Sequence, residues 1–376
     1  MVRDMRAITA KYIFNGVNLL TNQAVLIADG LIVDIVDLDS VFDINSVENF
    51  GNSVISAGFI DLQLNGCGGV LFNDDISLQT LEIMYQTNLK SGCTAYLPTL
   101  ITSSLDDVTK ALEVTKDWFN KFTNTRGVLG LHLEGPFLSL VKKGIHPEEF
   151  IINPTDEILA QVVKYVKYFP IKMTLAPEKF TAEQIKFLVK HGVIVSIGHS
   201  NATFAEAQLA IDSGATTATH LFNAMSGLTG RNPGVIGAVL SNNCYAGLIV
   251  DLLHVDANNV KLISKIKPTT AYLVTDAVTP TATDMTEFDF AGKHLYVKDG
   301  KCIDENGTLG GAFITMSESV RNCVNECGLS LEQSLSMATL IPAQEIGVSD
   351  ELGKIAKGYR ADLIAMDLVD YSTQII

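Results

Sequence analysis

The run VISAGFIDLQLN, residues 54–65, marks the point where the chain changes character. Before it, KYIFNG, QAVLIADG and LIVDIVD read as short strands broken by Gly and Asn-Gly turns. From it onward, apolar β-branched runs alternate with amphipathic stretches. Seven more such runs follow: TAYLPTL (94–100), VLGLHLEGP (128–136), IKMTLAPE (171–178), VIVSIGHS (193–200), TTATHLFN (216–223), YAGLIVDLLH (245–254) and TAYLVTDAV (270–278). Between most of them helices are expected, over 79–90, 105–121, 155–168, 181–191, 203–213 and 256–266. Thr181 with Gln184 has the capping-box pattern at the head of one. Continuous apolar strands separated by helices imply a parallel sheet buried on both faces. Eight such units over roughly 220 residues fit an α/β fold, a TIM-like (β/α)8 barrel. A doubly wound open sheet is the alternative, but no Gly-rich dinucleotide turn follows the first strand.

Outward from the barrel, FDFAGKHLYVKDGKCIDENGTLG (288–310) breaks the alternation and reads as a β-hairpin insertion turning at Lys298-Asp299-Gly300. Two helices are expected after it, over 316–327 and 330–340, with Ser330 and Gln333 as a second capping box. The tail KIAKGYRADLIAMDL returns to strand texture. The simplest assembly sets a small β-sandwich domain, residues 1–53 plus 350–376, beside a barrel over 54–349.

Composition narrows the partners. A chain of 376 residues that is 47% hydrophobic and 18% charged can bury a large core. Its 42 acidic side chains outnumber 27 basic ones, for a net charge of −15. Nucleic acid and anionic membranes call for a basic footprint, so both are disfavoured as partners. A small anionic ligand remains open, because it senses only a local field. The start MVRDMRAITAKYIFNG lacks the apolar run of a secretory signal, and no long uncharged apolar stretch is present to span a membrane. The six cysteines (67, 93, 244, 302, 323, 327) are scattered and read as reduced thiols, so the expected location is cytoplasmic. Cys323 and Cys327, four apart on a helix, read as small apolar residues.

The polar residues of the eight runs cluster at one end. Gln63, Asn65, Glu134, His199, His220, His254 and Asp276 fall at or just past the C-terminal ends of strands, where such barrels carry chemistry. Metal-assisted hydrolysis needs neutral imidazoles and a carboxylate converging on one point, with a position left for water. Glu134, His199 and His220 supply that set from strands three, five and six. Asp276, ending strand eight, is placed to take a proton from water and deliver it to a leaving nitrogen. Asp61 and Asp251 lie nearer strand interiors or loops and receive no chemical step. His132 points to the same side as Glu134 and is either packed in the core or a neighbour of the site. His191 and His294 read as surface and structural positions, and Trp118 as core.

The strings GFIDLQLNGCGG, HLEGPF, KKGIH, GHSNAT, THLFNAM, HVD and LVTDA occur in this order. With the closing SMATLIPAQEIGV and GKIAKGYRADLIAMD, the chain resembles the N-acetylglucosamine-6-phosphate deacetylase family of the amidohydrolase superfamily. The resemblance implies a barrel hydrolase that releases acetate from a phosphorylated N-acetyl amino sugar. It implies Glu134, His199 and His220 as metal ligands, Asp276 as general base and acid, and His146 beside the acetyl carbonyl. It places Ile145, Asn223, Ala224, Arg231, Asp251, His254, Leu309, Gly310 and Gly311 against substrate, with Arg231 and His254 on the phosphate. Lys142 and Lys143 read as rim charges. A helix N-terminus near Asn223 and Ala224 is expected to offer further N–H groups to the phosphate. The resemblance also implies a homodimer in which a neighbouring chain completes the sugar-phosphate site.

Many superfamily members carry His-x-His on strand one and bind two metals; this chain has Gln63-x-Asn65. Neutral amides are poor ligands for divalent ions beside imidazole. Strand four ends in TLAPE, without the Lys that bridges two metals in many relatives. One divalent metal per subunit is therefore expected, zinc by ligand type, with Gln63 and Asn65 touching water or sugar. Two departures concern the pocket. Leu252 stands where the family commonly has Gly, and LGGAF (309–313) where LAGS is commoner. The competing functions are a deacetylase of another N-acetylhexosamine phosphate, a different amidohydrolase, and a barrel that binds without catalysis. The intact set of Glu134, His199, His220 and Asp276 counts against the last.

Overall fold

The computed structural model describes residues 5–41, 47–122 and 127–376. Residues 1–4, part of the N-terminal reading above, lie outside the described residues. Eight strands form the barrel: β1 Phe59–Leu64, β2 Cys93–Ile101, β3 Leu131–Glu134, β4 Ile171–Leu175, β5 Ile194–Ile197, β6 Thr217–Ala218, β7 Tyr245–Ile249 and β8 Ala271–Val274. Each pairs in parallel with the next in chain order. The seam between β1 and β8 is nearly closed. It is held by a parallel bridge from Leu64 to Ala277 and by the Asp276 N–H, which donates to the Gln63 carbonyl at 2.9 Å.

The helices are α1 Leu78–Leu89, α2 Leu105–Lys121, α3 Asp156–Val162, α4 Ala182–Lys190, α5 Phe204–Asp212, α6 Gly234–Ser241, α7 Ala257–Ile266, α8 Met316–Asn325, α9 Leu331–Ala338 and α10 Leu340–Glu345. In α2 the buried side chains Val108, Ala111, Leu112, Thr115 and Trp118 recur every three or four residues and form the stripe that meets the barrel. The Ser104 hydroxyl caps its first turn by accepting the Asp107 N–H at 3.1 Å. Helix α6 was not legible. Its sequence GVIGAVLS is apolar all round, so it has no polar face to reveal a helical period. The Thr181–Gln184 capping box is complete. The Ser330 box is half made. Ser330 accepts the Gln333 N–H, while the Gln333 amide reaches Ser264 O at 3.0 Å instead.

The 54–65 run is two strands. Ser53–Ala57 pairs with Tyr12–Phe14 and with Leu363–Asp367, and only Phe59–Leu64 enters the barrel. The break falls at Gly58, where a Cβ would lie 2.1 Å from the Thr94 hydroxyl of β2. The terminal strands form two small mixed sheets. One orders Leu31–Asp37, Gln23–Ala28, Arg6–Thr9 and Val47–Asn49; the other orders Thr373–Ile375, Leu363–Asp367, Ser53–Ala57, Tyr12–Phe14 and Leu19–Leu20. Ile8, Val25, Ile27 and Ile32 from the first meet Ile13, Ile55 and Leu363 from the second in one apolar cluster.

The insertion is a four-stranded antiparallel meander rather than one hairpin: Glu287–Phe290, Lys293–Lys298, Lys301–Ile303 and Leu309–Ala312. Ala291-Gly292 and Asp299-Gly300 are both two-residue turns with positive φ, the twist that tight hairpins require. Sequence reasoning recognised only Asp-Gly.

The barrel interior is polar in layers below the site. Lys172 and Glu345, both fully buried, pair at 3.0 Å, and Lys172 donates to the Tyr272 hydroxyl at 2.6 Å. Above them His132 contacts Thr174 Oγ1 at 2.7 Å and Thr99 Oγ1 at 3.2 Å. Burial pushes His132 down to about 3, so it is a neutral, packed core histidine. Trp118, Cys323 and Cys327 are buried in the core, as expected.

Candidate active site

Glu134 ends β3, and His199, His220 and Asp276 lie just past β5, β6 and β8. The last three have positive φ, at 45°, 30° and 52°. Left-handed backbone is unfavourable for non-glycine residues and collects at functional sites. Here it turns each side chain off the strand direction and over the barrel axis. Sequence patterning carried no signal of it.

The convergence is tight. His220 Nε2 lies 2.9 Å and His199 Nε2 3.2 Å from the same Glu134 oxygen, and the two Nε2 atoms are 3.1 Å apart. Ligand atoms about 2.0–2.1 Å from one tetrahedral ion are themselves about 3.3 Å apart. Three atoms already at this spacing fit the shell of a single divalent metal. The loop after β3 fixes one ligand: His199 Nδ1 donates to Lys142 O at 2.8 Å, which leaves Nε2 with a free lone pair. Burial acts to raise Glu134, but the imidazoles of His199 and His220 beside it outweigh that and hold the carboxyl well below its usual range. Burial also acts against a charge on His220, and Glu134 overcomes it and raises that imidazole. Glu134 thus favours a positive charge on its imidazole neighbours' side.

His146 belongs to the same cluster, its nearest ligand atom within 4.8 Å of those of Glu134 and His199. Its hydrogen bonds set it apart. The Thr102 backbone N–H donates to His146 Nδ1 at 3.3 Å. The Thr102 hydroxyl lies 2.9 Å from the same nitrogen, and the backbone N–H can meet Nδ1 only as an acceptor, an arrangement that favours the proton of the neutral ring on Nε2. Burial holds His146 well below the usual histidine range, hence neutral. The ring offers a donor where His199 offers a lone pair.

Asp276 Oδ1 accepts the Asn65 amide at 2.7 Å and the Gln63 amide at 3.0 Å. Gln63 also donates to both Glu134 oxygens, at 3.2 and 3.3 Å. The two amides expected on water or sugar therefore have their nitrogens on the carboxylates. Gln63 Oε1 and Asn65 Oδ1 stay buried without a protein partner, and Asn65, which lines the cleft, can accept a ligand's N–H or O–H. Burial, reinforced by the Glu134 charge, pushes Asp276 up to about 6.

These groups open on a cleft of about 340 Å³, within the range of small-molecule sites. Of the residues expected against substrate, Asn65, Ile145, Asn223, Ala224, His254, Leu309 and Gly311 line it. Gln63, Arg231, Asp251 and Gly310 do not. Gln63 lies beneath the floor. Asp251 holds His254, whose Nδ1 meets its carboxylate at 2.6 Å. Gly310 lies behind the wall, where Ile145 and Leu295 fill the room a side chain would need. Arg231 stands on the exposed segment 227–233. No helix starts at Asn223; α6 begins at Gly234, and the Asn223 N–H already donates to His220 O. Leu252, the residue in place of Gly, has φ +66 and packs on the core without lining the cleft. Sequence reasoning missed Ile101, Val141, Phe290 and Thr308 as lining residues and treated Lys142 as rim. The insertion supplies two of them, and its packing over the site had no signature in the sequence.

A barrel with a buried pair of imidazoles and a carboxylate at its C-terminal rim, and a second carboxylate beside them, defines a metal-dependent amide hydrolase. The chain belongs to the amidohydrolase family, whose model matches residues 54–376. Within it, the chain is 46% identical over 323 residues to N-acetylglucosamine-6-phosphate deacetylase of Haemophilus influenzae, covering 85% of this chain and 84% of that one. It is 37% identical over 365 residues to N-acetylgalactosamine-6-phosphate deacetylase of a Shewanella species, covering 95% and 91%. The solved structure of N-acetylglucosamine-6-phosphate deacetylase from Pasteurella multocida superposes with a TM-score of 0.93 at 45% identity, over 98% of this chain and 97% of that one. Among the described residues no helix is long and apolar enough to cross a membrane.

Proposed function

We propose that this chain hydrolyses the acetamide of N-acetyl-D-glucosamine 6-phosphate to glucosamine 6-phosphate and acetate, a step of amino-sugar breakdown. The observation that carries the reading is Asp276, a buried carboxylate held by two amides beside the Glu134–His199–His220 triangle. A divalent ion on that triangle, zinc by ligand type, supplies Lewis acidity and a water acidic enough to react near neutral pH. Asp276 takes the proton of the attacking water as the C–O bond forms. It returns that proton to the amide nitrogen as the C–N bond breaks, because an amine anion cannot leave. His146 Nε2–H donates to the acetyl oxygen as charge develops there. Gln63 and Asn65 hold Asp276 in place, and Asn65 leaves its carbonyl oxygen for a ligand proton.

The phosphate is assigned to His254 and Lys142, which line the cleft. Arg231 lies outside this chain's own cleft; in the proposed homodimer it serves the phosphate of a second copy. Six buried, free cysteines fit a reducing cytoplasm. The deciding experiment follows acetate release from N-acetylglucosamine 6-phosphate after chelation, then after adding back one metal at a time. Activity that survives complete chelation overturns the mechanism. The Shewanella relative supports a second reading, the galactosamine epimer, so both epimers belong in the assay.

A further inference from the structure

Asp61 is a fully buried carboxylate on β1 that takes no part in the chemistry above and does not line the cleft. A buried carboxylate is costly unless donors compensate it, and here they are arranged around one neighbour. Asp61 Oδ1 accepts the Gln63 N–H at 3.1 Å and the Thr275 N–H at 3.2 Å. The Thr275 hydroxyl donates to Asp61 Oδ2. Thr275 Oγ1 in turn accepts the Ala277 N–H at 3.2 Å. The residues immediately before and after Asp276 are thus tied to Asp61, directly or through one hydroxyl. Strand β8 ends at Val274; beyond it the backbone is held by isolated bridges from Ala277 to Leu64 and to Ala312, and Thr275 is held by Asp61. Asp276 itself is left-handed, and its N–H is held by Gln63 O, part of the segment that Asp61 also grips.

We propose that Asp61 and Thr275 are positioning residues: they brace the left-handed turn that aims the Asp276 carboxylate at the reacting water and nitrogen. The inference rests on the reading of Asp276 as general base and acid. Burial pushes Asp61 up to about 7, in keeping with a carboxyl kept for its hydrogen bonds rather than for solvent charge.

The test uses Thr275→Val, which keeps the shape and deletes the hydroxyl, and Thr275→Ser, which restores it. Both are assayed as metal-loaded protein on N-acetylglucosamine 6-phosphate. Thr275→Val is expected to lower kcat about 30-fold or more with KM and metal content unchanged, since small misplacements of catalytic groups have effects of this order. Thr275→Ser is expected to stay within about threefold of the parent. In an Asp276→Asn background the Thr275→Val change is expected to cause no further loss, because its effect passes through Asp276. A kcat equal to the parent's in Thr275→Val, or the same fold-loss with and without Asp276, overturns the inference. If Thr275→Val does not fold, Asp61→Asn carries the same expectations: its single oxygen can accept from either the two backbone N–H groups or the Thr275 hydroxyl, not both sets. A parent that releases no acetate overturns the deacetylase reading, and the inference with it.

Discussion

Thr102 decides which nitrogen of His146 faces the substrate. Its backbone N–H occupies Nδ1, so the ring presents Nε2–H to the cleft. His146→Ala is accordingly expected to keep one metal per chain and to lose about 10²–10³-fold in kcat, the usual cost of an oxyanion donor. His220→Ala is expected to lose the metal. Metal analysis of the two purified variants separates the roles, and loss of metal from His146→Ala would make that residue a ligand.

Asp276→Asn retains the shape and the metal triangle but cannot move a proton. A fall in turnover of about 10²–10⁴-fold at unchanged metal content is expected. Near-normal turnover would falsify the assignment.

The pH profile follows from the same residue. Asp276 must be charged to take a proton, and burial with the neighbouring Glu134 charge pushes it up to about 6. Activity therefore rises with pH through the Asp276 value, and a cation beside it can only lower that value. The acid limb of kcat is expected at or below about pH 6 in the metal-loaded protein. Asn65 donates to the charged form, so Asn65→Leu is expected to move the limb upward. A downward shift contradicts the hydrogen bond's role.

Arg231→Ala is expected to raise KM for the phosphorylated sugar far more than for N-acetylglucosamine itself. Equal effects on both substrates would remove Arg231 from the phosphate.

Gly310 explains a departure from the family pattern. A Cβ there would lie 2.4 Å from Leu295 and 2.6 Å from the Ile145 terminal methyl. Gly310→Ala is expected to destabilise the fold by about 1–3 kcal/mol. Ile145→Val deletes one of the two obstructing methyls and should recover part of the loss in urea unfolding midpoints.

The barrel was legible because its strands are buried on both faces and so stand out as apolar runs, and the acidic and imidazole side chains at their ends followed from that register. Three kinds of feature were not legible. Helix α6 has no polar face, so nothing in it alternates. Gly58 reads as part of a continuous strand until the Thr94 side chain is seen against it. The engagement of Gln63 and Asn65 by Asp276 joins residues 213 and 211 positions apart, and only the closed seam brings them together.

The left-handed backbone at His199, His220 and Asp276 shapes how this rim can be edited. Alanine there removes the functional side chain but keeps a Cβ in a disfavoured conformation, whereas glycine releases both. The difference in stability between an alanine series and a glycine series reads the tension held in the rim, apart from any chemistry. A chain selected only to fold would place glycine at all three strand ends. That it holds two histidines and an aspartate there marks the rim as the place where the interests of folding and of reaction part company.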